Sequence, residues 1–271
     1  MSNSYYIVPV YNKERLILDV LNGIKTSHSS NNQTIICIID GCTDTSEEKV
    51  LQFKKSSGIN TILLYENNVH EIRCLNTALQ YIKDNCNPAP DDLIFTVQDD
   101  VILDEINIDG IFRLFFTEHP LAAYVSITVG VSVFGIDGYL TEANYVESEF
   151  GHWDQLNWSF HKRLNHYEYV ETEVAIRSPT CTLWKRFADH GFFDTNLEPC
   201  GFDCHEFSIR MNIAGYTNYV FALKFKSDVN WGTMRSETQS EYSNKIGAIY
   251  ERNKKYIAEE HENYFERKYY E

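Results

Sequence analysis

The stretch Thr34-Ile35-Ile36-Cys37-Ile38-Ile39-Asp40-Gly41-Cys42-Thr43-Asp44 decides the architecture. Its first six residues are apolar or β-branched without alternation. A strand with one wet face would alternate; an unbroken run ending in turn residues reads as a strand covered on both faces. Asp40-Gly41 supplies the turn at its carboxyl end. Outward on either side the same unit recurs. Strands are expected at 5–10, 59–65 and 93–97. Helical patterns fill 14 to about 24, 46–55 and 71–83, the last with Ile72, Leu75, Leu79 and Ile82 on one face. Strand and helix in strict alternation predict a mainly parallel α/β sheet with helices on both sides.

Beyond residue 104 the pattern loosens. A helix is expected at 108–118 and one or two strands at 122–133. Residues 140–172 are rich in Tyr, Trp, His, Glu and Asn and read as a loop-and-helix insertion. A strand-to-helix unit follows at 178–189, then a helix at 206–214 closed by Gly215, a last strand at 219–226, and a charged, Tyr-rich helical tail from 241. The domain reading is 1–230, divided into a nucleotide-binding half (1–104) and an acceptor-side half (105–230), with 231–271 as a C-terminal helical tail.

The chain has 271 residues, 43% hydrophobic and 23% charged. That composition supports a full core and excludes collagen-like and disordered classes. A net charge of −15 repels nucleic acid and anionic membranes, so no nucleic-acid partner is expected. An anionic substrate would need a local device against the same repulsion, and a divalent cation held by carboxylates is the common one. The start, Met1-Ser2-Asn3-Ser4, lacks a basic region before an apolar run, so no signal peptide is expected. The apolar run at 122–136 is too short to span a bilayer and is broken by Ser126, Thr128, Gly130 and Ser132. Seven cysteines, an odd number, read as reduced thiols in a cytoplasmic protein.

In an open α/β sheet ligands bind at the carboxyl ends of the strands. Three such ends carry polar clusters: Val8-Pro9-Val10-Tyr11-Asn12, Asp40-Gly41-Cys42-Thr43-Asp44 and Gln98-Asp99-Asp100. Asp99-Asp100 suits Mg²⁺ or Mn²⁺, which takes one or two carboxylates and leaves positions for water and phosphate; it also suits a solvated turn. Asp40 can accept a hydrogen bond from a base or cap the next helix, a task better suited to Asp44 or Thr45. Tyr11 can stack on a base or pack at the sheet edge. Arg73 and Asn76 share a helical turn, where Arg73 either reaches phosphate or faces solvent. Downstream, Asp203 after Gly201-Phe202 is a candidate base for a hydroxyl nucleophile, while Glu206 suits a helix N-terminus. Cys200, Cys204, His190 and His205 match no standard zinc spacing. No GxGxxG or GxxxxGK[ST] stretch occurs, which weighs against dinucleotide oxidoreductases and P-loop NTPases.

Together these clusters resemble the family-2 glycosyltransferases of the GT-A fold, over residues 5 to about 226. The resemblance rests on Val8-Pro9-Val10-Tyr11-Asn12, on Asp40-Gly41-Cys42-Thr43-Asp44, on Asn76, on Gln98-Asp99-Asp100 at the Asp-x-Asp metal motif, and on Asp203 through Arg210 with Gly215-Tyr216. It implies a GT-A, Rossmann-like sheet. It implies that Pro9, Tyr11 and Asp40 contact the nucleoside of a UDP-, GDP- or dTDP-sugar, that Asp99 lies against the ribose or donor sugar, and that Asn12, Arg73, Asn76 and Arg177 belong to the substrate-binding set. Asp100 would ligate Mn²⁺ or Mg²⁺, with Asp228 as the further metal ligand because no His stands near 226–231. Asp203 would be the base, with Glu206 in reserve. Two positions depart from the pattern: Gln98 replaces the first metal-motif acid, and Cys204 the second acid of the acidic pair.

The implied reaction is inverting transfer of a sugar to a hydroxyl of a glycan or lipid-linked glycan, in surface polysaccharide or glycan biosynthesis, by a cytoplasmic enzyme with peripheral association to a membrane complex as an open expectation. Aromatic residues at 145–170, among them Trp153, Trp158, Tyr167 and Tyr169, are an acceptor surface or a cover over the sheet. Two alternatives stand beside it: a non-catalytic carbohydrate- or partner-binding domain, consistent with Gln98 and Cys204, and a sugar nucleotidylyltransferase, which the absence of a Gly-rich basic loop after the first strand disfavours.

Overall fold

The computed structural model describes residues 2–30, 32–132, 145–148, 160–176, 179–227, 231 and 239–270. Strand β1 (Ser4–Val10) is followed by α1 (Ile17–Ser27), β2 (Gln33–Asp40), α2 (Ser46–Ser56), β3 (Asn60–Glu66), α3 (Glu71–Asn85) and β4 (Leu93–Thr96). β1 pairs in parallel with β2 and β4, and β2 with β3, as the alternation predicts. The apolar face read for α3 is the one it buries, through Ile72, Leu75, Leu79 and Ile82. α1 begins later than expected. The backbone N–H groups of Lys13 and Glu14 are taken by Ser46 Oγ and Asp44 Oδ2, so this segment is stitched to the loop before α2 instead of entering the helix.

The second half holds β5 (Val101–Leu103), α4 (Ile108–Glu118), β6 (Ala122–Ser126), β7 (Val129–Val131), β8 (Tyr145–Ser148), β9 (Phe160–Leu164), β10 (Tyr169–Thr172), β11 (Val174–Ile176), β12 (Thr180–Leu183), α5 (Trp184–His190) and α6 (Asp203–Ile213). It closes with β13 (Thr217–Phe221), β14 (Phe225–Ser227), α7 (Gln239–Glu260) and α8 (Glu262–Tyr270). The central sheet runs β10-β13-β6-β12-β4-β1-β2-β3. It is parallel except for β12, antiparallel to β4 and β6, and β10, antiparallel to β13.

Three expectations change. The described parts of 140–172 are strands joined by a turn at 165–168, where a loop-and-helix insertion was expected. β8 and β9 join β7 and β11 in a small sheet, and β10 forms the edge of the large one. β10 alternates between exposed and half-buried positions, a partly wet face on which polar residues mask the strand pattern. The expected last strand at 219–226 breaks in two. The Lys224 N–H goes to the Glu105 carboxylate and its carbonyl accepts from Asp104 N–H, which turns the chain away so that β14 pairs with β5. α6 starts at Asp203, three residues before the expected start. It ends as expected: Gly215, at φ +85°, donates to Asn212 O and Tyr216 N–H reaches back to Met211 O.

The core lies in two layers, one on each face of the sheet. Tyr6, Val8 and Val10 of β1 point into the layer shared with α1 and α4, while Tyr5 and Ile7 point into the layer shared with α3 and α6. This double burial is why the run at 35–39 is apolar at every position. The C-terminal helices are part of the second layer: Ile257 and Phe265 have no exposed surface. Asn253, also fully buried, donates through Nδ2 to the carbonyls of Leu197, Cys200 and Gly201 at 2.9, 3.1 and 2.9 Å.

Candidate active site

The loops after β1, β2 and β4 meet at the carboxyl end of the sheet. The Tyr11 N–H donates to Asp99 Oδ2 at 2.8 Å. The Lys13 ammonium, only 5% exposed, lies 3.6 Å from Asp99 Oδ1 and 3.9 Å from Asp100 Oδ2, and donates to the Trp231 carbonyl. Asn12, at φ +50°, accepts the Thr43 N–H on Oδ1 at 2.8 Å and so ties the first loop to the second. Pro9 falls past the end of the β1–β4 ladder, which closes at Ile7 and Thr96, so its missing N–H interrupts no bond there.

Asp40 has no exposed surface. Its two oxygens accept the N–H groups of Val69 and His70 at 2.7 and 2.9 Å. His70 takes φ +71° to present its N–H, and Gly41, at φ +67°, lets the second loop come close enough to Asn68 that a Cβ there would lie 3.0 Å from the Asn68 nitrogen. Positive φ at non-glycine positions costs on the order of 1–3 kcal/mol and collects at functional sites. Here Asn12, His70 and Phe202 carry it on three loops of the crevice. Asp40, expected to contact the nucleoside, here orders the loop at 67–70.

The crevice is acidic. Burial pushes the Asp99 carboxyl up to about 7, against the opposing pull of Lys13, and raises Asp100 in the same way. Glu71, at the start of α3, is pushed up to about 8, first by burial and then by the negative charge of Asp203; the Gln98 amide at 3.3 Å opposes this, and Asp100 and Asp99 add to it. Asp203, 8% exposed, is raised chiefly by burial, with N–H and S–H donors of Cys204 acting the other way. Four carboxylates from β4, α3 and α6 therefore share one field, with Lys13 among them.

Other expected site residues are placed differently. Glu206 is buried and bonded to Arg210 at 3.0 and 2.7 Å and to His261, between α7 and α8, at 3.3 Å. Arg210 in turn holds the carbonyls of His190, Gly191 and Phe192. These bonds make Glu206, expected as the reserve base, an anchor between α6 and the C-terminal helical segment. Asn76 holds the backbone of Phe193 with its amide, donating to the carbonyl at 2.8 Å and accepting from the N–H at 3.1 Å, which clamps α3 to the segment after α5. Arg73 is exposed and pairs with Glu198 at 3.2 Å. Arg177, Asp228, Trp153 and Trp158 lie outside the described residues. Sequence reasoning missed Lys13 and Glu71. Lys13 follows directly on the quoted first-loop cluster; Glu71 carried no signal beyond an acid at a helix start.

The profile of glycosyl transferase family 2 matches residues 5–193. The chain belongs to that family. No curated protein sequence matches this family-2 glycosyltransferase. Among solved structures it is similar to GalNAc-T7 with UDP, GalNAc and Mn²⁺, at 9% identity and a TM-score of 0.63, covering 84% of this chain and 44% of that one. The mannosyltransferase PcManGT from Pyrobaculum calidifontis, in complex with GDP-Man and Mn²⁺, aligns at 15% identity and TM-score 0.55, covering 84% of this chain and 57% of that one. S. aureus TarS 1-349 in complex with UDP-GlcNAc aligns at 13% and 0.56, covering 92% and 65%. The chain thus spans less than two thirds of each of these structures. The likeness establishes the GT-A arrangement of sheet and helices.

For a family-2 glycosyltransferase the donor set at the crevice is the relevant test of a metal. Among the described residues no three His, Cys, Asp or Glu side chains gather to hold a metal on their own. The adjacent carboxylates of Asp99 and Asp100, both pushed upward, are nevertheless hard oxygen donors in a field that a cation would relieve. Mg²⁺ and Mn²⁺ sites in which substrate phosphates complete the shell need no more than one or two such groups.

Proposed function

We propose that this glycosyltransferase moves a sugar, with inversion, from a nucleoside-diphosphate sugar to a hydroxyl of a glycan or lipid-linked glycan in surface polysaccharide assembly. One observation carries the reading. The Asp99-Asp100 pair after β4 is bound to the first loop by the Tyr11 N–H and Lys13, and Glu71 of α3, hydrogen-bonded to Gln98, has the negative charge of Asp203 as well as of this pair near it, which supports one acidic crevice. The GDP-Man, UDP-GlcNAc and UDP carried by the similar structures support a nucleotide-sugar donor.

In this reading Tyr11 and Pro9 wall the nucleoside, Asn12 and Asp40 hold the loops that form the wall, and Asp99 lies beside the ribose or donor sugar. Asp100, with Asp228 as the further ligand, would hold Mn²⁺ or Mg²⁺. The cation supplies positive charge against the diphosphate as it leaves. Lys13 adds a fixed positive charge between the two acids. Asp203 takes the proton of the acceptor hydroxyl as its oxygen attacks the anomeric carbon from the face opposite the diphosphate. One base of this kind contributes about 10²–10⁴-fold, and positioning much of the rest. Arg177 belongs to the donor side. The described residues contain no helix long and apolar enough to cross a membrane, and we place the activity in the cytoplasm with peripheral contact to a membrane complex.

Thermal unfolding with UDP, GDP and dTDP, each with and without Mn²⁺, tests the donor class. One base is expected to stabilise the protein, and a nucleotide at 100 times its Kd adds about 2.7 kcal/mol. NMR of the transfer product then reads the anomeric configuration. No response to any nucleoside diphosphate would remove the reading. Binding without turnover would favour the non-catalytic domain for which Gln98 and Cys204 are the footing.

A further inference from the structure

A line of buried hydroxyls runs beneath the crevice and ends on Asp203. Thr96 Oγ1 lies 2.5 Å from Thr180 Oγ1, as neighbours across the β4–β12 pair. Thr180 Oγ1 donates to the Tyr124 hydroxyl at 3.0 Å, Tyr124 OH lies 3.6 Å from Cys204 Sγ, and Cys204 Sγ lies 3.6 Å from Asp203 Oδ2. Thr96, Thr180 and Tyr124 are 6%, 1% and 1% exposed.

The order of protons along this line follows from valence. A carboxylate only accepts, so Cys204 donates its one hydrogen to Asp203. The sulfur then accepts from Tyr124. The Tyr124 hydrogen is spent, so Tyr124 accepts from Thr180, and Thr180 from Thr96. All four donors point the same way, toward the carboxylate, and hydrogen bonds in such a series polarise one another. The Tyr124 phenol is held well above its ordinary range by burial, which keeps it a donor.

We infer that Cys204 is a positioning residue for Asp203, fixing Oδ2 of the carboxylate as the terminus of a one-way donor chain Thr96→Thr180→Tyr124→Cys204→Asp203; this rests on the reading of Asp203 as the base. The charged and titratable groups facing Asp203 are Glu71 from α3, Tyr124 from β6, and Cys204 and Glu206 from its own helix. A second acid at position 204 would add negative charge beside the base. A thiol adds a donor without charge, and so favours the ionised form that can accept a proton.

The test reads Asp203 itself. In protein labelled with ¹³Cγ-aspartate, the Asp203 resonance is identified by its loss in Asp203→Asn, and its titration is followed in wild type, Cys204→Ala, Cys204→Ser and Tyr124→Phe. Removing the terminal donor in Cys204→Ala is expected to raise the titration midpoint by about 0.5–1 pH unit. Cys204→Ser, whose hydroxyl can donate, restores the midpoint and shows that a fold with a donor at this position suffices. Tyr124→Phe shifts it in the same direction as Cys204→Ala, by less. In turnover, the acidic limb of kcat/KM moves upward with the midpoint while donor KM stays put. A midpoint unmoved in both Cys204→Ala and Tyr124→Phe overturns the chain. Full turnover by Asp203→Asn overturns the base reading instead, and the two outcomes are distinguishable because the midpoint is read without substrate.

Discussion

The Lys13 ammonium lies 3.6 Å from the Asp99 carboxylate, and through this pair the first residues after β1 are bound to the turn after β4. Both groups are largely withdrawn from water, at 5% and 15% exposure, so removing one leaves the other poorly compensated. Lys13→Met is expected to destabilise the protein by about 1–3 kcal/mol, below the range for a fully enclosed pair because the crevice is partly open. The loss should be greater at pH 8, where Asp99 must be charged, than at pH 6, where it can take a proton. Equal losses in thermal unfolding at the two pH values would show that the pair contributes little.

The carboxyl groups of Asp99 and Glu71, with midpoints raised from 3.8 to about 7 and from 4.5 to about 8, keep protons in the folded protein that they lose in the unfolded chain. The folded state therefore binds more protons between about pH 4 and 8, and stability should fall as pH rises through that window. The melting temperature of metal-free protein is expected to decline from pH 5 to pH 8, and Mn²⁺ should flatten the decline. A melting temperature that climbs over this range would contradict the charge arrangement of the crevice.

Asp203 and Glu206 sit on the same helix, one turn apart, yet have opposite surroundings. Asp203→Asn should lower kcat by about 10²–10⁴-fold with little change in stability. Glu206→Gln should keep turnover within about tenfold but lower stability by about 1.5–3 kcal/mol, through weaker bonds to Arg210 and His261. Steady-state kinetics paired with melting curves separates the two patterns, and the reverse assignment would exchange them.

Asn76 grips Phe193 through both ends of one amide. Asn76→Ala should cost about 1–3 kcal/mol by leaving two backbone groups unpaired, with donor KM nearly unchanged. A large rise in donor KM at unchanged stability would return Asn76 to the substrate.

The apolar run at 35–39 disclosed the central sheet because only a strand covered on both faces tolerates such a sequence. Asp99 and Asp100 were legible because they follow a short apolar strand directly. Glu206 and Asn76 were not, since helical periodicity does not say which neighbour a polar side chain meets, and both meet backbone or side chains from distant segments. Lys13 was hidden for the opposite reason: next to Glu14 and Arg15 it looks like a solvated helix start, and only the stitching to Asp44 and Ser46 turns it inward. Strand β10 was obscured by exposure, which leaves a pattern of partial burial that alternation rules read poorly.

The Tyr250 ring lies so close to Gly201 that a methyl group there would come within 2.3 Å of it, and Asn253 binds the same loop. Two residues further on stands Asp203. A change in α7 at Tyr250 or Asn253 would therefore reach the chemistry from a distance: the loop that aims the base would slacken although no residue of the crevice had been altered.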